Sequence, residues 1–328
     1  MMKSVLYVYS KQTRKECIMK KINLYLVLPV MVLLFVFNNS YGQSAEDYFK
    51  SGREKYKNKD YKGAIADQTM AIVRKKDCAE AYYNRGLAKA RIGDFKGAIA
   101  DYSMSIELTI IENKKGSSEE QIDETSDSID IALINDNNRI RGLILSIQYL
   151  SRGISKYKLN DFKGAIADYD IAINSDSNHI DAYLERGFIK NKTEDYEGAY
   201  KDYDKVIMID SGYAEAYNGR GYSRSHLSDY EEAMSDYNKA IELDTKNETS
   251  YFERAAVRMN LMDMKGSIAD YTKAIELNPK FGNAYFARGL IKELINDMKG
   301  ACEDWHKSVE IGGEDIELVK DMIDKKCE

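Results

Sequence analysis

Ala79-Glu-Ala-Tyr-Tyr-Asn-Arg-Gly86, followed by Gly93-Asp-Phe-Lys-Gly-Ala-Ile-Ala-Asp-Tyr102, decides the fold of this 328-residue chain. The small residue of that stretch returns at fixed intervals: Gly52 and Gly86 are 34 apart, and so are Gly153, Gly187, Gly221, Ala255 and Gly289 in turn. A constant period of this size marks a stacked repeat architecture. An aromatic stands four residues before each small residue: Tyr48, Tyr82, Tyr149, Tyr183, Tyr217, Tyr251 and Tyr285. Four residues is about one helical turn, so both face one side of a first helix. Gly inside a helix costs about 1 kcal/mol against Ala, so its recurrence reads as a place where a second backbone comes close.

The facing helix is legible twelve residues on, at Ala64, Ala98, Ala165, Ala199, Ala233, Ser267 and Ala301. Four residues later comes Tyr102, Tyr169, Tyr203, Tyr237, Tyr271 or Trp305, with Gln68 the exception. An Asp precedes each second helix: Asp60, Asp94, Asp161, Asp195, Asp229, Asp263 and Asp297. Asp is a good N-cap because its carboxylate accepts from the free N–H groups of the first turn. Glu232, three residues after Asp229, completes a capping-box pattern there.

These residues resemble the tetratricopeptide repeat, whose helix pair carries an aromatic, Gly, Ala and aromatic at these spacings. Seven units can be laid down, over 45–78, 79–112, 146–179, 180–213, 214–247, 248–281 and 282–315. The family's closing proline is nearly absent, with only Pro279 in place. The resemblance implies an all-α, right-handed superhelical solenoid of helix pairs. Residues 113–145 interrupt the phase, as an acidic insertion or as a degenerate repeat; Asn113-Lys-Lys-Gly-Ser-Ser118 reads as a loop, and helical spacing resumes at Ser128. Residues 316–328 read as a capping helix with Ile316, Val319 and Ile323 inward, because a terminal repeat must cover the side its successor would have covered.

The start of the chain is a leader. Lys20 and Lys21 precede an apolar run from Ile22 to Phe37, and Ser40-Tyr41-Gly42 follows. That order is a signal-peptide pattern with cleavage after Gly42, and Met19 reads as the start. The alternative is an uncleaved membrane anchor, although the run falls short of the ~20 residues that span a bilayer. The expected compartment is therefore periplasmic or secreted. Residues 1–42 carry six basic side chains and one acidic, so removing them takes the formal charge from −6 to −11. Such a surface disfavours nucleic acid and favours neutral or basic protein partners. Cys302 and Cys327 are placed to be bridged in an oxidising compartment, or else are buried thiols.

No catalytic constellation is visible. His179, His226 and His306 lie at no metal-ligand spacing, and no phosphate-cradling Gly loop occurs. No enzyme activity, cofactor, metal or small-molecule substrate is expected. One polar pattern recurs: an Arg just before the small residue, as in Arg186, Arg220 and Arg254, and an Asp three residues after the facing Ala, as in Asp202, Asp236 and Asp270. The pattern predicts an ion-pair ladder. Ser51 stands where the first Arg would be, which favours pairing of each Asp with the next unit's Arg, Asp202 with Arg220 and Asp236 with Arg254; pairing within a unit would orphan Asp67.

In the tetratricopeptide family the first helices line a groove that holds a peptide or partner helix. The resemblance places Phe49, Tyr83, Leu150, Leu184, Phe252 and Phe286 there, then Arg53, Leu87, Phe188, Tyr222 and Leu290. Phe188, Tyr222, Phe252 and Phe286 are expected to form one continuous line. The paired Lys and Asn set of the chaperone-binding clamp is missing, so recognition of a free C-terminal carboxylate is not implied. The expected function is a non-catalytic interaction scaffold, or alternatively the non-catalytic arm of an envelope enzyme or secretion assembly.

Overall fold

The computed structural model describes residues 43–119, 128–313 and 316–327. The expected leader over 1–42 lies outside them. The described residues form 15 α-helices and no strand. In chain order these are α1 (Ala45–Lys57), α2 (Tyr61–Arg74), α3 (Ala79–Arg91), α4 (Phe95–Glu119), α5 (Ser128–Lys158), α6 (Phe162–Ser175), α7 (Ile180–Lys192), α8 (Tyr196–Ile209), α9 (Ala214–His226), α10 (Tyr230–Leu243), α11 (Glu248–Asn260), α12 (Met264–Leu277), α13 (Gly282–Leu294), α14 (Met298–Ile311) and α15 (Ile316–Lys326). Consecutive helices pack on each other, and neighbouring first helices also touch, as in α7 with α9 and α9 with α11. The result is a solenoid of helix pairs in which each pair buries its apolar side on its neighbours.

Close approach within a pair explains the periodic Gly. A Cβ on Gly153 would sit 2.5 Å from the Tyr169 ring, and one on Gly289 would sit 2.5 Å from the Trp305 indole nitrogen. Tyr169, Tyr237 and Trp305 are thereby fully buried. In the unit whose small residue is Ala255, Ser267 replaces the facing Ala, and its Oγ donates to the Ala255 carbonyl at 2.9 Å.

Each tight turn ends with a residue in the left-handed region immediately before the capping Asp. That residue is Lys59, Gly93, Asn160, Glu194, Ser228, Met262 or Asn296, with φ of 64° at Glu194 and 83° at Gly93. The Asp then caps the second helix by accepting from the N–H three residues on, as Asp195 does from Gly198 at 3.0 Å. Asp229 is the exception: its side chain makes no cap bond. The capping box expected at Glu232 does not close. At every second-helix cap that forms, the third residue is Gly. A Cβ on Gly198 would lie 2.2 Å from the Asp195 carboxylate, and Glu232 carries that Cβ.

The ion-pair ladder exists, but its pairing is internal to each unit, which corrects the expected register. Asp202 accepts from Arg186, not Arg220; Arg220 holds Asp236, and Arg254 holds Asp270. Each is a two-point contact, at 3.0 and 2.7 Å for Arg220 on Asp236. A second cation, one turn further along the first helix, grips the same carboxylate: Lys190 on Asp202 at 2.8 Å and Arg224 on Asp236 at 2.6 Å. The separations explain the choice. Sixteen residues back lies the same helix pair, across the tight turn, whereas the next unit's Arg meets the residue two beyond the ladder Asp, as Arg220 meets Asp204. Asp67 is not orphaned, because Ser51 donates to it at 2.6 Å and Lys55 lies 2.7 Å away. The third nitrogen of each Arg does cross to the preceding unit, at a different position: Arg220 reaches Asp204 at 2.6 Å, and Arg254 reaches Asn238 at 2.7 Å. Each Arg also stands over the Tyr one turn before it, with Arg220 5.5 Å from the Tyr217 ring centre. Two-point, ring-stacked contacts of this kind suit Arg and not Lys.

The phase break is built from two long helices. α4 has 25 residues and α5 has 31, against 13 or 14 in the regular pairs. The stretch 113–118, expected as a loop, lies inside α4. Four regular second helices stop at an Asp or Asn that folds back on the following backbone, as Asp210 does by accepting from Gly212 N–H at 2.9 Å, whereas α2 stops at Lys75 and α14 at Gly312. The equivalent residue in α4 is Thr109, whose hydroxyl instead donates to the Ser105 carbonyl within the helix at 2.9 Å.

At the other end α15 lies on α14, with Val319 fully buried beside Ala301 and Trp305. Cys302 and Cys327 are bonded, with Cα atoms 5.7 Å apart, and this ties the end of the chain to the last pair.

Candidate functional site: the first-helix face

Each first helix turns its Tyr–small-residue side to its partner and presents the next stripe round outward. Of the eleven face residues read from the sequence, the seven strongest candidates, Phe49, Tyr83, Leu184, Phe188, Tyr222, Phe252 and Phe286, range from buried to exposed. Leu184 is a correction: it is 8% exposed and belongs to the core between α6, α7 and α8, beside Ala172, Ile173 and Tyr203, so it offers no docking contact. Phe49 packs half-buried on Ala71, Ile72 and Ala81. Phe252 lies 5.4 Å from the Tyr271 ring and 4.9 Å from Phe281. Phe286 rests on the cluster of Ala301, Trp305 and Val319. Tyr83 is half-buried, its hydroxyl 3.1 Å from Ser151 Oγ, and burial pushes its ionisation up to about 12.

One of the seven, Phe188, is open to solvent on the face itself, and Tyr222, at the same repeat position, is half-buried. Phe188 is 48% exposed, with only the edge of Tyr157 at 5.8 Å. Tyr222 is half-buried, 4.4 Å from His226, which in turn stacks on Tyr196 at 4.5 Å. Phe188 and Tyr222 hold one repeat position, and Phe252 and Phe286 hold another four residues earlier. The four therefore form two rows, not the single line expected. A side chain at the earlier position leans toward the neighbouring unit and is absorbed by packing. At the later position Phe188 stays largely exposed, while Tyr222 is half-covered by Tyr196 and His226.

Sequence reasoning missed the acidic members of this face. Asp181 and Glu185 on α7, Glu215 on α9 and Glu253 on α11 share its stripe, at spacings of four along a helix and 34 between helices. Burial, and then the nearby Glu215 carboxylate, raise Glu185 above the ordinary carboxylate range. Glu253 is pushed up to about 7 by burial alone. The signal was present in the sequence, but each carboxylate looked like ordinary helix surface until the stacking brought three helices together.

Among the described residues, no group of three or more His, Cys, Asp or Glu side chains is placed to hold a metal ion. No described helix is long and apolar enough to cross a membrane.

Family models described as tetratricopeptide repeat match residues 49–109, 180–213, 214–247 and 248–281. The chain is a tetratricopeptide repeat protein. The solved structure of a tetratricopeptide repeat protein from Parabacteroides merdae shares 18% identity with it, at a TM-score of 0.60, over 88% of this chain and 100% of that one. The C-terminal part of a repeat-containing protein from Cytophaga hutchinsonii shares 16% identity at a TM-score of 0.58, covering 83% and 98% of the two chains. At these identities the likeness is one of fold. No curated protein matches the sequence. In a tetratricopeptide repeat protein the repeats generally mediate protein–protein contacts and are not catalytic.

Proposed function

We propose that this protein is an exported, non-catalytic scaffold that holds a peptide or helix of another protein on its first-helix face. The observation that carries the reading is the pair of aromatics at one repeat position, Phe188 and Tyr222, on adjacent first helices with no described helix laid over them. Rigid aromatics of this kind bury a large area at low entropic cost and are common interface anchors. Net acidity supports a neutral or basic partner over nucleic acid. Export is supported by the Lys20–Gly42 leader pattern and by the Cys302–Cys327 bond, which suits an oxidising compartment.

The test is capture from the cell envelope with the full chain and with the double variant Phe188→Ala/Tyr222→Ala. The expected result is a partner retained by the wild type and lost by the variant at unchanged helix content. The same proteins retained by both would move the interaction off this face. N-terminal sequencing of the native protein should begin at Gln43; an intact leader in the membrane fraction would make it an anchor.

A further inference from the structure

α15 stands 34 residues after α13, in the register of a first helix, but it packs differently. Ile323 takes the small-residue position of Gly289, where even an added Cβ would meet Trp305 at 2.5 Å, so no second helix can close on α15 in the regular way. In α3, α7, α9 and α13 the third residue is fully buried, as Ala81, Ala182, Ala216 and Ala284, whereas its counterpart Leu318 is 52% exposed. α15 is instead seated by Val319, fully buried beside Ala301 and Trp305, with Met322 and Ile323 partly covered around it. A helix of 11 residues is marginal by itself, so its place depends on what ties it down. The ties lie at its C-terminal end: the Cys302–Cys327 bond, and Lys326 Nζ 2.5 Å from Glu293 and 5.9 Å from the Trp305 ring centre.

The bond is open to a reagent. Both cysteines are half-buried and line an open cleft of about 500 Å³, together with Lys299, Glu303, His306 and Lys326. Lys299 is three residues before Cys302 and His306 four after it, so the three share one face of α14. A neighbouring Lys or His favours a thiolate at Cys302, and Glu303 opposes it with a single carboxylate. In thiol–disulfide exchange the sulfur that leaves as the better-stabilised thiolate leaves faster. Cys302 is therefore the leaving group, and Cys327, just beyond α15, is the sulfur attacked. The remaining described thiol, Cys78, is pushed up to about 12 by burial, so it stays protonated and inert.

We propose that Cys302–Cys327 is a thiol–disulfide exchange site opened by a dithiol, and that its opening frees α15 from Ala301 and Trp305. A thiolate of the reductant attacks Cys327 Sγ in the cleft and forms a mixed disulfide. The Cys302–Cys327 bond breaks, and Cys302 leaves as a thiolate beside Lys299 and takes up a proton, with His306 as the donor on the same face. The second thiolate of the reductant then attacks the reductant's own sulfur in the mixed disulfide and expels Cys327, which is protonated in turn. The protein gains two thiols, and the dithiol becomes a disulfide by giving up two electrons and two protons. α15 then keeps only the Val319 contact and the Lys326–Glu293 pair, and the apolar end of the array, on which Phe286 also rests, loses its cover. The end is thus closed in an oxidising compartment and opens where a dithiol meets it. This latch does not depend on what the first-helix face holds.

Trp305 is the single Trp of the chain, so intrinsic fluorescence reads this site directly. The experiment treats the full chain, without denaturant, with dithiothreitol as a small dithiol or reduced thioredoxin as a protein dithiol. Alkylation and peptide mapping then locate the free thiols. Cys302 and Cys327 are expected to label together while Cys78 stays unlabelled. Trp305 emission should shift to longer wavelength, and amide exchange over 316–326 should rise about tenfold. Reoxidation should reverse both, and Cys302→Ser/Cys327→Ser should show the reduced signature without any thiol. Glutathione, a monothiol, should be trapped as a mixed disulfide on Cys327. Lys299→Gln/His306→Gln should slow opening several-fold at unchanged helix content, and Lys265→Gln, at the same repeat position one unit earlier, should not. Opening by one dithiol and not the other supports the latch and tells a small reductant from a protein one. A bond that neither reductant opens without denaturant would overturn the inference. So would labelled cysteines with unchanged Trp305 emission and amide exchange, since the bond is then a passive staple. A mixed disulfide on Cys302, or an unaffected Lys299→Gln/His306→Gln variant, would overturn the exchange site.

Discussion

Where α8 meets α9, Val206 and Ala216 are fully buried and the contact is apolar; where α4 meets α5, the same two repeat positions hold Ser105 and Gln148. Gln148 Nε2 donates to Ser105 Oγ and to Thr109 Oγ1, both at 2.9 Å, and Ser105 Oγ donates to the Ala79 carbonyl at 2.8 Å. Around it, Tyr83 meets Ser151, and Arg152 reaches Ser103 at 3.0 Å. One junction is thus close-packed by small apolar groups, and the other is held by a hydrogen-bond network. Apolar packing tolerates any neighbour of the right volume, so it can be repeated along an array. A network is satisfied only by its own partners and fixes one particular pair of helices side by side. That suits the single place where the helices are long and the repeat phase is lost.

The strongest way to test the regular side of this contrast is Asp236→Ala. It strips two cations, Arg220 and Arg224, of their shared buried carboxylate. Removing one partner of a buried pair typically costs about 3–5 kcal/mol, and urea unfolding should show it as a lowered midpoint. A loss below about 1 kcal/mol would reduce the ladder to a surface decoration.

The irregular side is tested by Gln148→Leu, which leaves the Ser105 and Thr109 hydroxyls short of a donor. The expected loss is about 1–3 kcal/mol, and Ser105→Ala/Thr109→Val/Gln148→Leu should recover much of it. If the single change costs well under about 1 kcal/mol, the network is not what holds the junction.

A pH test sharpens the comparison between satisfied and unsatisfied acids. Glu253 titrates at about 7 in the fold, against 4.5 ordinarily. Between those values the folded state holds a proton the unfolded state has lost, so stability falls as pH rises from about 4.5 to about 7. Facing Glu253 are Tyr222, Tyr237 and Tyr271, all raised further by its charge and all neutral in this window. Glu253→Gln should therefore be more stable than wild type at pH 8, with the advantage shrinking toward pH 5 in thermal melts. An advantage independent of pH would show that ionisation of Glu253 is not its source.

The smallest effect compares two turns. Asp195→Ala should cost about 1 kcal/mol through its lost cap, and Asp229→Ala, whose side chain makes no cap bond, should cost a few tenths at most. Equal losses in chemical denaturation would mean that the cap bond of Asp195 contributes nothing.

The period, the helix pairs, the Gly-to-aromatic contacts and the recurring Asp at each turn were all legible in the sequence, because each depends on residues within one unit and recurs seven times. The end of the fourth helix was only half legible: Thr109 stands where Asp176, Asp210, Asp244 and Asn278 stop other helices, yet Lys75 ends the second helix at that position with no such residue. The register of the ladder was not. Ser51 suggested a missing partner across units, but Lys55 and its equivalents had not been counted as second cations. Which aromatics stay exposed was not legible either: repeat position separates Phe188 from Phe252, but Tyr222 shares the position of Phe188 and is still half-covered, by Tyr196 and His226. The sequence by itself determined the repeat, its turn chemistry and the candidate stripe, because local periodicity fixes which side chains share a helix face. Only the tertiary structure decided which carboxylates found cations, which aromatics were absorbed into the core, and that Cys302 and Cys327 meet. Those outcomes depend on distances between helices, and no spacing along one helix encodes them.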